Sequence, residues 1–135
     1  MSQGDIELAR RWYEVATSKA ALLAAMPRTM ALCHPDVEWS APEDGTTYRG
    51  REGVRRRLEE WLNSFDDYRY EIDRIIDCGN DEVLVQASEV GRGAASGAEV
   101  RQTMYELLTI RDGMIFRIRE YYDEGQALEA AGLRE

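Results

Sequence analysis

Apolar positions repeat with a helical period in the first half of the chain and with an alternating period in most of the second half. Ile6, Ala9, Tyr13 and Ala16 recur at helical spacing, with Arg10, Arg11 and Glu14 elsewhere on the wheel, which predicts an amphipathic helix over 5–18. A short helix over 19–26 follows. Pro27 ends or kinks it, because proline lacks the N–H that the helix interior needs, and a further turn runs to Leu32. Val37 to Ser40 reads as a short strand, and the stretch from Pro42 to Gly50 as turn. Gly50 opens the clearest helix, with Val54, Leu58, Trp61, Leu62 and Phe65 on one face. Four strands are then expected near 68–77, 82–92, 98–110 and 114–122, with a tight turn at Asp112-Gly113. A tail helix over 124–131 has Asp123 as N-cap, Gln126 in capping-box position and Gly132 as its stop. Helices set apart from a run of antiparallel strands make an α+β layout.

The register of the last hairpin decides what faces inward. A two-residue turn pairing Arg111 with Met114 sets Leu108 opposite Arg117 and mixes core with charge. A three-residue loop pairing Ile110 with Met114 gathers Met104, Leu108, Ile110, Met114, Phe116 and Ile118 on one face. The second register is the one expected. It points Glu106 inward opposite Ile118 and Glu120 inward opposite Met104, as diagonal neighbours about 7–8 Å apart. Tyr122 lies on the same face, and Glu89 ends the alternate set Val83, Val85, Ala87 of the preceding strand. Carboxylates on an apolar concave face are costly to bury, and burial and mutual repulsion raise at least one pKa. A protonated donor beside an ionised acceptor suits general acid–base work. Glu106 and Glu120 are therefore the candidate catalytic pair. Trp39, Trp61, Glu89, Met104, Ile118 and Tyr122 are the expected lining of a pocket for a flat or apolar ligand. The alternative is that the glutamates sit at an open rim or pair with arginines from the helices.

Composition narrows the function classes. The 135 residues fit one domain spanning 1–135, with 44% hydrophobic and 32% charged residues. No apolar run approaches the ~18 residues of a membrane span, and the first residues carry no signal-peptide pattern, so a cytoplasmic location is the default expectation. A net charge of −9 opposes binding to nucleic acid. Arg55-Arg56-Arg57 is surrounded by Glu52, Glu59 and Glu60 and reads as a solvated helix face. One lysine, Lys19, argues against Schiff-base chemistry, and one histidine, His34, rules out a multi-histidine metal site. Cys33 and Cys78 have no metal or disulfide spacing. No cofactor or metal is called for. Gly91 to Gly97 joins strand to strand, so it is not a phosphate loop.

Several segments in order carry a family likeness. They are the opening helix; His34-Pro35-Asp36-Val37-Glu38-Trp39; Tyr48-Arg49-Gly50-Arg51-Glu52-Gly53-Val54; Arg111-Asp112-Gly113-Met114-Ile115; and Arg119-Glu120-Tyr121-Tyr122-Asp123. Together they resemble the SnoaL-like branch of the nuclear-transport-factor-2-like superfamily. The resemblance implies a cone-shaped fold, in which a curved antiparallel sheet packs on three N-terminal helical segments around a pocket. It also implies a homodimer formed through the outer sheet face, where Tyr105, Leu107 and Tyr121 would lie. The superfamily hosts many reactions, so the fold does not name one. Set beside its epoxide hydrolases, Glu120 and Glu89 fall at the two acids, while Ala87 stands at the arginine. Set beside its ketosteroid isomerases, Glu106 falls near the neutral acid and Trp39 at the base. In its polyketide cyclases the acid of the last segment corresponds to Asp123 or Glu120. Two readings follow: a cofactor-independent acid–base enzyme acting on a small apolar organic molecule, or a non-catalytic ligand-binding or dimerisation module.

Overall fold

The computed structural model describes residues 2–133. Helix α1 (Ser2–Tyr13) buries Leu8, Ala9, Trp12 and Tyr13. It stops earlier than its periodicity suggests, because Ser18 caps the next helix by accepting from the Ala21 N–H at 3.0 Å. Helices α2 (Lys19–Ala24) and α3 (Met26–Ala31) follow. Pro27 lies in the first turn of α3, where its missing N–H has no partner to lose, so it starts a helix as well as ending one.

Strand β1 (Cys33–Ala41) is longer than expected, and β2 (Thr46–Arg49) forms within the stretch read as turn. Gly50, at φ +75°, makes the corner into α4 (Gly50–Leu62). Four long strands follow: β3 (Phe65–Gly79), β4 (Glu82–Gly93), β5 (Glu99–Arg111) and β6 (Met114–Tyr121). Helix α5 (Glu124–Ala130) closes the described chain. Asp123 accepts from the Gln126 N–H at 2.8 Å as its cap, and Gly132 at φ +75° follows its end. No helix among the described residues is long and apolar enough to cross a membrane.

The strands form one sheet in the order β2-β1-β6-β5-β4-β3. Every pair is antiparallel except β1 with β6, so the sheet is mixed where a wholly antiparallel one was expected. No hairpin joins β1 to β6. The chain leaves through α4 and comes back by way of the other strands, so nothing forces that pair to run antiparallel. Register shifts interrupt β3 at three places and β6 at one, and such bulges bend a strand. The resulting concave face carries Val37, Trp39, Val83, Val85, Met104, Leu108 and Ile118 against α1, α3 and α4.

Two expectations need correction. The last hairpin turns on Asp112 (φ +55°) and Gly113 (φ +73°) with Arg111 paired to Met114, the two-residue turn. The charge conflict of that register is removed by a bulge at Phe116: Ile110 pairs with Ile115, then Thr109 with Arg117 and Leu108 with Ile118. Ile115 therefore takes the inward place expected for Met114 and Phe116, and is fully buried. The second correction concerns the outer face. Tyr105, Leu107 and Tyr121 are not free for a partner. With Leu84 they are buried under Ala127 and Ala131 of α5 and its end.

Candidate active site

Three neighbouring strands each place one buried glutamate on the concave side: Glu89 on β4, Glu106 on β5 and Glu120 on β6, all 5% exposed or less. The bulge at Phe116 sets Glu106 directly opposite Glu120. They are thus closer than the diagonal neighbours that the sequence suggested. Each acid has its own kind of partner. The Tyr13 hydroxyl, reaching over from α1, donates to Glu106 Oε1. Glu89 accepts from the Tyr68 hydroxyl, from Gln102 Nε2 at 2.9 Å and from the Tyr122 hydroxyl at 3.1 Å. Glu120 faces the Arg57 guanidinium of α4 at 3.7 Å.

Burial lifts both members of the pair above the ordinary carboxylate range. Glu106 is raised to about 7, chiefly by desolvation, with the Tyr13 hydrogen bond pulling the other way. Glu120 is raised to about 9, by desolvation first and then by the charge of Glu106. The two values belong to the pair, which keeps at least one proton at neutral pH. The Tyr13 hydroxyl donates to Glu106, which favours the anion there and leaves the proton on Glu120. Tyr13 itself stays a neutral phenol, its pKa pushed far up by burial and by the neighbouring carboxylate.

Glu120 opens onto a cavity of about 720 Å³. Trp39, Tyr48, Trp61 and Tyr122 line it together with Arg57, and Glu43, Asp44 and Glu60 belong to the same lining. Arg57 lies between two indoles, 4.1 Å from the Trp39 ring centre and 4.9 Å from that of Trp61, a cation–π arrangement on both sides. The buried Trp61 Nε1 has no hydrogen-bond partner among the described residues. A far smaller void of about 30 Å³ is lined by Tyr13, Trp39, Tyr70 and Glu106 among others. The acid pair therefore borders both a ligand-sized cavity and a small void, with Trp39 lining both.

Of the residues expected to line a pocket, Trp39, Trp61 and Tyr122 border the large cavity, as does Glu120. Glu89 is not in that lining; it lies behind Tyr122, at the end of the hydroxyl's hydrogen bond. Met104 and Ile118 are also absent from the lining and are packed in the core beneath it, at 0% and 1% exposure. Arg57 is the residue that sequence reasoning missed. Arg55 does sit on a charged face, paired with Glu52 and Glu59, but the Arg57 side chain is only 14% exposed. A signal was present: Val54, Arg57 and Trp61 are three and four residues apart and share one helix face. His34 has a local role, its Nδ1 accepting from the Asp36 N–H at 3.0 Å. Both cysteines are free thiols, and Cys33 is pushed up to about 12 by burial. Among the described residues no group of three or more His, Cys, Asp or Glu is arranged to hold a metal ion.

The model of the SnoaL-like domain family matches residues 9–118. No curated protein matches the chain. Among solved structures, TerC co-crystallised with polyporic acid is 21% identical, covers 96% of this chain and 98% of its own, and superposes with a TM-score of 0.73. A protein of ketosteroid isomerase-like fold from Catenulispora acidiphila, in complex with trimethylamine, is 20% identical over 94% of this chain and 93% of its own, with a TM-score of 0.71. An NTF2-like protein of unknown function from Burkholderia pseudomallei is 17% identical over 93% of this chain and 95% of its own, with a TM-score of 0.75. At these identities the likeness is one of fold.

Proposed function

The chain belongs to the SnoaL-like domain family, and from that premise we propose that it is a cofactor-independent acid–base enzyme acting on a small, largely apolar carbonyl compound or epoxide. One observation carries the reading: Glu120 lines a ligand-sized cavity while paired directly with a second buried glutamate, Glu106. Protonated Glu120 gives a hydrogen bond, or its proton, to an oxygen of the substrate. Glu120 recovers its proton from the substrate or from water at the end of the cycle, and Glu106, held as the anion by Tyr13, favours the protonated form of Glu120 that starts the next one. Arg57 limits the negative charge that builds up when the pair ionises. Trp39, Trp61 and Tyr122 hold the flat apolar body of the substrate. Isomerisation, cyclisation, dehydration and hydrolysis all use such a proton donor, and the polyporic acid and trimethylamine bound to two neighbours of this fold agree with a small-molecule site.

Glu89 belongs to this proposal as a support for Tyr122, and Met104 and Ile118 as the floor beneath the site. A homodimer also remains part of it, but its contact surface must differ from Tyr105, Leu107 and Tyr121, which α5 covers.

The test is hydrogen–deuterium exchange. A panel of aryl ketones is incubated with the protein in D2O, and loss of the α-proton signals is followed by NMR. Exchange above buffer is expected, falling by about a hundredfold or more in Glu120→Gln. Ketones that shift the tryptophan indole signals but never exchange faster than in buffer would turn the conclusion to the ligand-binding module.

A further inference from the structure

Arg57 differs from the other half-buried arginines in what its N–H groups meet. Arg51 donates to the Cys33 carbonyl at 2.8 Å, Arg55 to Glu59 at 2.9 Å and Arg119 to Glu82 at 2.8 Å. Arg57 makes no hydrogen bond to any of the described residues. Glu120 Oε1, the acid facing it, is 3.7 Å from Nη2, longer than a hydrogen bond. Yet the side chain is only 14% exposed, and the indoles on either side of it offer ring faces and no acceptor atom. A guanidinium taken this far out of water needs acceptors for its N–H groups.

The indoles occupy two of its sides, which leaves the cavity that Arg57 and Glu120 line together as the place for those acceptors. Glu120 does not neutralise the cation at close range. Tyr13 holds the anion on Glu106 and leaves Glu120 protonated, so a guanidinium and an O–H donor stand side by side in the cavity wall. Two such donors, one of them charged, match paired acceptor oxygens that carry a negative charge. Glu43, Asp44 and Glu60 share the lining, but all three are exposed. Water and salt screen exposed charges far more than they screen a nearly buried guanidinium.

We infer that the ligand of this cavity is an organic carboxylate, its charged group on the Arg57 guanidinium and a neighbouring oxygen within reach of Glu120. The guanidinium already fills the space between the indoles, so the apolar body lies along Tyr48 and Tyr122. The inference rests on the reading of the cavity as a small-molecule site and adds the ligand's charge: the carbonyl compound proposed above is an oxo acid.

Three probes of similar shape test it: 4-oxo-4-phenylbutanoate, its primary amide and butyrophenone, each titrated at pH 7 while the tryptophan indole N–H signals are followed by NMR. The carboxylate should bind about tenfold tighter than the amide, the difference between a charge-assisted and a neutral hydrogen bond. Butyrophenone, with no second oxygen for Arg57, should bind no tighter than the amide. In Arg57→Met the preference for carboxylate over amide should fall to about twofold or less. Arg57→Lys keeps the charge without the planar fork and should retain part of the preference; it decides the matter if Arg57→Met does not fold. Arg56→Met removes the same charge from an exposed position of α4 and should leave the preference unchanged. The inference is overturned if amide and carboxylate bind equally, if no folded Arg57 variant lowers the preference, or if Arg56→Met lowers it as much. In those cases the small-molecule site itself stands. If none of the three probes binds, the site and the inference fall together.

Discussion

Replacing Glu106 by glutamine should make the protein more stable at alkaline pH while leaving it no more stable in acid. The side chain keeps its size, and its carbonyl oxygen can still accept from the Tyr13 hydroxyl. What disappears is a buried group that must ionise. In the wild type, Glu106 has its carboxyl raised from 4.5 to about 7. Between those pH values the unfolded chain releases a proton that the folded chain keeps, so stability falls as pH rises. At ~1.4 kcal/mol per pH unit, the loss from this group reaches on the order of 3 kcal/mol by pH 8. The amide also relieves Glu120 of a neighbouring charge, which is one cause of its raised pKa. Urea unfolding followed by tryptophan fluorescence at pH 5, 6, 7 and 8 measures this. Glu106→Gln should match the wild type or fall about 1 kcal/mol below it at pH 5, and exceed it by about 2–3 kcal/mol at pH 8. Other titrating groups are common to both proteins, so the difference isolates the pair. Two curves that stay parallel across this range would refute a buried, proton-sharing pair.

Arg57→Met removes the cation facing Glu120 and should lower stability by roughly 1–3 kcal/mol more at pH 8 than at pH 5, read from the same unfolding curves. Tyr13→Phe takes away the donor to Glu106; the Glu106 carboxyl should then titrate higher by carbon NMR, with a loss of about 1–3 kcal/mol at pH 8. Gly91→Ala would put a Cβ 2.7 Å from Phe65 Cδ1 and 3.2 Å from Tyr68 Cδ2, so a loss of about 1–3 kcal/mol is expected in thermal melts. Asp123→Ala deletes the cap of α5; about 0.5–2 kcal/mol should be lost, and binding of a hydrophobic dye should increase as α5 frays from Leu107 and Tyr121.

Periodicity made the helix that begins at Gly50 legible, because Val54, Leu58, Trp61 and Leu62 keep one spacing throughout. Inward placement of Glu106 and Glu120 was legible for a similar reason: alternation with Met104, Leu108 and Ile118 leaves them one side. The bulge at Phe116 was not, since an extra residue in a strand leaves the composition on either side unchanged. Arg57 was hidden by its neighbours. Three arginines among glutamates look solvated when read as letters, and only the helix wheel separates Arg57 from Arg55. The covering of Tyr105 and Leu107 by α5 escaped too, because an exposed apolar face does not say whether its partner is the same chain or another.

The parallel pairing of β1 with β6 bears on how the protein is made. Trp39 sits on β1 and pairs with Ile118 of β6, so the wall and the acid of the cavity come from strands far apart in the order of synthesis. Closing such a contact requires a long loop to be ordered first, which slows folding. While the chain emerges, β1, β2 and α4 leave the ribosome before β6 exists, with Trp39 and Trp61 still lacking the surface they pack against. A nascent chain of this kind exposes those indoles before their packing partners exist, and changes that weaken β6 should reduce the yield of folded protein.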